Sequence, residues 1–67
     1  MSGFTKEIIA RTFTELLEEK SMAKITVKDI VERCGVNRNT FYYHFRDIPD
    51  VVEFILKKKW DEILEAP

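Results

Sequence analysis

The sequence predicts an all-α fold, a small bundle of three short helices plus a longer fourth. Three observations predict it. Apolar residues recur at helical spacing in successive segments, and no segment alternates as a half-buried strand does. The breaks between segments fall at capping residues, namely Thr26, Gly35, Asn37 and Asp47. At 67 residues the chain holds one small core at most, burying ~60% of the surface its unfolded form exposes.

The first helix is predicted over about residues 4–20. Phe4, Ile8, Ile9, Phe13, Leu16 and Leu17 recur at helical spacing, with Lys6, Glu7, Arg11, Glu15 and Glu18 between them. Residues 20–24 break the pattern and read as a loop. Thr26 and Asp29 then have the spacing of a capping box, which starts a second helix over 27–34. Val27, Ile30, Val31 and Cys34 share one face of it, and Lys28, Asp29, Glu32 and Arg33 take the other. Gly35 follows, where a left-handed residue ends a helix at little cost.

Asn37 is a good N-cap for a third helix over 38–45, whose core side is Phe41 and Phe45. The fourth helix is predicted over 48–65. Pro49 suits a first helical turn, and Asp47 and Asp50 suit the positive end of the helix dipole. Val51, Val52, Ile55, Leu56, Ile63 and Leu64 carry the apolar pattern, which Lys57-Lys58-Lys59 interrupts. Trp60 packs on the first helix or faces a further domain.

Composition narrows the functions open to such a bundle. Apolar residues make up 45% of the chain and charged residues 34%, which excludes disorder. The longest apolar run is three residues, so no membrane span is expected. Met1 to Thr5 lack the apolar core of a signal peptide, and a cytoplasmic location is expected. The single cysteine, Cys34, excludes an internal disulfide framework and is expected to pack on the apolar face. With one histidine as well, neither a metal site nor acid–base catalysis by His44 is expected. No enzyme activity and no cofactor are implied.

Net charge is −1, but the charge is unevenly spread. Residues 1–23 carry three basic and four acidic side chains, and residues 47–67 carry three and six. Between them Lys24, Lys28, Arg33, Arg38 and Arg46 face only Asp29 and Glu32. A patch of this sign attracts anions even on an acidic protein.

The second and third helices, joined through Gly35-Val36-Asn37, form a helix-turn-helix. On the third helix Asn39, Thr40, Tyr43 and His44 fall opposite Phe41 and Phe45. A merely solvated face would carry Lys and Glu instead. Arg38 occupies the first turn, the end that enters the major groove of DNA in this motif. Arg pairs with guanine, Asn with adenine, and a Thr methyl touches thymine. Tyr42 lies at the border, within reach of a phosphate. The expected partner is therefore double-stranded DNA. The rival reading is a small helical module whose exposed aromatics meet a protein helix.

The stretch from Ile25 to Val31, with Cys34-Gly35-Val36-Asn37-Arg38-Asn39-Thr40-Phe41-Tyr42-Tyr43-His44-Phe45, resembles the DNA-binding domain of the tetracycline-repressor (TetR) family of bacterial transcription regulators. The resemblance runs from about Lys6 to Leu64. It implies base contacts by Lys28, Arg38, Asn39, Thr40 and Tyr43. It implies phosphate contacts by Thr26, Tyr42 and His44, to which the reading here adds Asn37 and Arg46. The family's usual lysine at the start of the fourth helix is replaced by Ile48, followed by Pro49. Asn39 stands where glycine is frequent. Family members are about three times longer and dimerise through a C-terminal ligand-binding domain. The chain is thus expected to be an excised N-terminal domain, monomeric alone, from a homodimer that represses or activates at a palindromic operator.

Overall fold

The computed structural model describes residues 2–65, and among them the regular structure is entirely helical. The order is α1 (Ser2–Leu17), a 3₁₀ turn (Met22–Lys24), α2 (Val27–Cys34), α3 (Arg38–His44) and α4 (Ile48–Glu65).

α1 ends at Leu17, short of the expected Lys20. Glu18 and Glu19 place negative charge at the negative end of the helix dipole, which opposes extension. The chain leaves through tighter bonds, from the Glu18 N–H to the Glu15 carbonyl (3.1 Å) and from Glu19 to Leu16 (2.9 Å). The expected loop at 20–24 contains the 3₁₀ turn. It is exposed, and it delivers Ile25 into the core. α3 ends at His44 rather than Phe45. Phe45 adopts extended backbone as the C-cap, and its N–H still donates to the Phe41 carbonyl.

α1 packs on both α2 and α4, and α2 packs on α3. Ile9, Ala10, Phe13 and Leu16 supply the α1 side of the core. They meet Ile25, Ile30, Val31, Phe41, Phe45 and Val51. Each fully buried Ile or Phe contributes roughly 1.5–3 kcal/mol. The core stripe of α1 is narrower than its apolar pattern, because Phe4, Ile8 and Leu17 lie exposed beside it. Thr12 is buried within the stripe, its hydroxyl donating to the Ile8 carbonyl at 2.8 Å. Leu56, Trp60, Ile63 and Leu64 are exposed on the second half of α4, so Trp60 does not pack into the core.

Candidate nucleic-acid interface

The interface begins with how its two central helices start. Thr26 Oγ1 accepts from the Asp29 N–H (3.1 Å), and Asp29 Oδ2 accepts from the Thr26 N–H (3.0 Å). This reciprocal capping box fixes the first turn of α2, from which Lys28 projects exposed. Asp29 Oδ2 also accepts from Lys20 Nζ at 3.1 Å. The Asp29 carboxyl is held below the usual carboxylate range, first by the Thr26 backbone N–H and then by Lys20.

Gly35 ends α2 at φ +78°, ψ 20°, and its N–H donates to the Val31 carbonyl at 2.9 Å. Nothing stands within 4 Å of where a side chain would begin, so the backbone angle alone selects glycine there. Val36 tucks against the core. Asn37 then caps α3, its side-chain oxygen accepting from the Thr40 N–H at 2.8 Å. That oxygen is occupied; the Asn37 side-chain amide keeps its donors.

α3 presents three kinds of surface. Phe41 is fully buried and Phe45 nearly so, which orients the helix. Arg38, Asn39 and Tyr43 project outward, Tyr43 being 80% exposed. Tyr42 is 51% exposed, with its ring edge-on to Phe41 at 5.2 Å. Thr40 and His44 do not stand opposite the core as the helical wheel suggested; both are half-buried. At ~100° per residue, His44 is only ~60° from Phe41 and Thr40 ~100°, which puts them on the flank. His44 meets the Tyr43 ring edge-on at 5.0 Å.

The electrostatics sort the basic residues. Lys20 pairs with Asp29 at 3.1 Å, Lys58 with Glu7 at 3.0 Å, and Arg33 binds Glu19 through two contacts at 2.6 and 2.8 Å. The Arg33 bond holds the Glu19 carboxyl below its ordinary range. Among the described residues, Lys24, Lys28, Arg38 and Arg46 have no carboxylate within ion-pair distance, and neither do Lys6 and Arg11 on α1 or Lys57 and Lys59 on α4. The start of α4 is acidic instead. Asp47 accepts from the Asp50 N–H (3.0 Å), and Asp50 accepts from the Arg46 N–H (2.9 Å). Ile48 packs against the core and Pro49 is exposed, so neither residue supplies a cation at the start of α4.

Sequence reasoning treated Lys6 as one charge among several on α1. Its ammonium lies 5.3 Å from the Phe45 ring centre and 5.0 Å from that of Phe54. Periodicity along α1 carries no signal for this contact, because both rings come from distant segments. Among the described residues no cluster of His, Cys, Asp and Glu fits a metal ion, and no helix is long and apolar enough to cross a membrane.

The family model for bacterial regulatory proteins of the tetR family matches residues 5–53, most of the chain. The chain is similar to the HTH-type dhaKLM operon transcriptional activator DhaS of Lactococcus lactis subsp. lactis (strain IL1403). They are 29% identical over 63 residues, covering 94% of this chain and 34% of that protein. It is also similar to two uncharacterized HTH-type transcriptional regulators of Bacillus subtilis (strain 168). YxbF is 29% identical over 62 residues, 91% of this chain and 16% of YxbF. YerO is 37% identical over 41 residues, 61% of this chain and 14% of YerO. The chain thus spans about a third of the length of the first of these relatives and less of the others. No solved structure matches it significantly. With two capped helices joined at Gly35, an outward polar face on the second and a family match across both, the chain belongs to the tetR family of bacterial regulatory proteins.

Proposed function

We propose that this domain binds double-stranded DNA with α3 in the major groove and regulates transcription as part of a longer protein. One observation carries the reading. Lys28, Arg38 and Arg46 stand exposed on α2, α3 and the turn after it, the two helices of the motif, with no carboxylate within ion-pair distance among the described residues. Unpaired cations of this kind bind phosphates and displace counterions.

Arg38, Asn39 and Tyr43 are assigned to base edges, with Lys28 and the flanking Thr40 beside them. Thr26, Asn37, Tyr42, His44 and Arg46 are assigned to the phosphate backbone, which fixes register without reading sequence. Catalysis and a cofactor have no part in this mechanism. In the longer protein two such domains meet a palindromic operator, with half-sites ~34–36 Å apart. The exposed face of Leu56, Trp60, Ile63 and Leu64 suits contact with further segments of that protein. The site of action is the cytoplasm, and occupancy of the operator represses or activates.

Titration with a duplex of about 20 bp tests the assignment, with amide signals read residue by residue. The largest shifts are expected at residues 26–28 and 37–44, with affinity falling as salt rises. Largest shifts at residues 57–64, or binding indifferent to salt, would overturn the assignment.

A further inference from the structure

We infer that Lys6 is a positioning residue for the DNA-binding face. Its ammonium, held over the rings of Phe45 and Phe54, fixes the end of α3 to α1 and α4. The inference rests on the DNA-binding reading above.

The contact joins three elements. Lys6 comes from α1, Phe45 is the C-cap of α3, and Phe54 lies on α4. The two rings pack edge to face, with centres 5.6 Å apart and planes at 70°. Phe45 continues to Phe41, centres 5.8 Å apart, and Phe41 to Tyr42 at 5.2 Å. A connected row of rings therefore runs from the Lys6 ammonium to Tyr42, which is assigned to phosphate.

Lys6 is half-buried, and no carboxylate among the described residues lies within ion-pair distance of it. Its ammonium lies over the Phe45 and Phe54 rings instead. An ammonium within ~6 Å of a ring centre is attracted by the ring quadrupole, more so when partly desolvated. Asp50, Glu53 and Lys57 line the same corner, so carboxylates and a second ammonium both face this region. α3 is only seven residues long, and Phe41 and Phe45 are its anchors in the core, so a contact that holds the Phe45 ring helps set its orientation. Loosening the Lys6 end leaves DNA to order the helix on binding, which lowers affinity without removing a phosphate contact.

Lys6→Met keeps the apolar stem and removes the charge; Lys6→Arg restores a cation. In the free 67-residue chain, Lys6→Met should shift amide signals at residues 41–45 as well as on α1. Its Kd for a duplex of about 20 bp should rise about two- to fivefold, the size of one partly exposed cation–ring contact. The slope of affinity against salt should stay at the wild-type value, and Lys6→Arg should recover most of the binding. Phe54→Leu, which removes one ring face and keeps an apolar side chain, should shift the same α3 amides by less. This second variant carries the test if Lys6→Met unfolds. A salt slope smaller by about one would make Lys6 a phosphate ligand and overturn the inference. Shifts confined to α1, or equal loss in the Arg and Met variants, would also overturn it. Wild-type chain that binds no duplex overturns the DNA-binding reading itself, whereas failure of the Lys6 inference alone leaves wild-type binding intact.

Discussion

Arg38 and Tyr42 are one turn apart on α3, and their surroundings assign them different work. Arg38 is exposed, on the first turn, with no carboxylate partner among the described residues. Tyr42 leans its ring on Phe41 and keeps half its surface outside. Arg38→Ala should therefore reduce the preference for a cognate over a scrambled site by ~1–3 kcal/mol. Tyr42→Phe should weaken both sites alike, as loss of a phosphate contact does. Competition binding on the two duplexes checks the pair. Equal loss on both for Arg38→Ala would move Arg38 to the backbone. At this scale the sequence was readable wherever a residue acts on its near neighbours. Thr26 and Asn37 cap three residues ahead, a spacing visible in the chain. Flank positions such as His44 were misjudged although the wheel itself sets His44 only ~60° from Phe41; grouping residues by polarity hid the angle.

The elements depend on their ends. Gly35 at φ +78° closes α2 with open space around it, so alanine there meets no neighbour and suffers only the backbone angle. Gly35→Ala should cost ~1–2 kcal/mol in urea denaturation, and Gly35→Asn less, since asparagine tolerates the left-handed region. Thr26→Ala should cost ~1 kcal/mol through loss of the α2 cap. Acid should act on the same capping box. The Asp29 carboxyl is depressed in the folded chain by the Thr26 N–H and Lys20. A depressed carboxyl contributes stability above its unfolded pKa, near 4, and loses it as pH falls through the folded value. Thermal melts should thus be flat in this respect from neutral pH down to about 5, and should fall below about pH 4. Asp29→Asn should lessen that fall. Helix type was legible because α1 and α4 are long enough to show a period. The 3₁₀ turn was not, since three residues cannot display one. The end of α1 was overrun although the apolar period stops at Leu17, where the helix ends, because the opposition of Glu18 and Glu19 to the dipole was not weighed.

The whole molecule has little stability to spare. A chain of this length holds on the order of 0.05–0.15 kcal/mol per residue. Phe41 is fully buried where α3 joins the core, and Phe41→Ala should cost ~3–5 kcal/mol. Circular dichroism should show that variant largely unfolded or melting far below wild type. The 67-residue chain should sediment as a monomer at micromolar concentration. Its duplex affinity should be near the non-specific range, Kd ~10⁻⁴–10⁻⁶ M at physiological salt. Tethering two copies should raise affinity sharply for correctly spaced half-sites through effective concentration. A tight dimer would assign Trp60, Ile63 and Leu64 to an interface between copies. The seven residues of α3 have one further consequence. So short a helix has almost no persistence in water outside the bundle. Its hydrogen-bonded amides, from Thr40 onward, should therefore trade with solvent deuterium when α3 leaves the bundle, while those of Arg38 and Asn39 trade freely. Any agent that lowers the folded population then silences the domain in the same proportion, and the cell's proteases and the operator compete for one equilibrium.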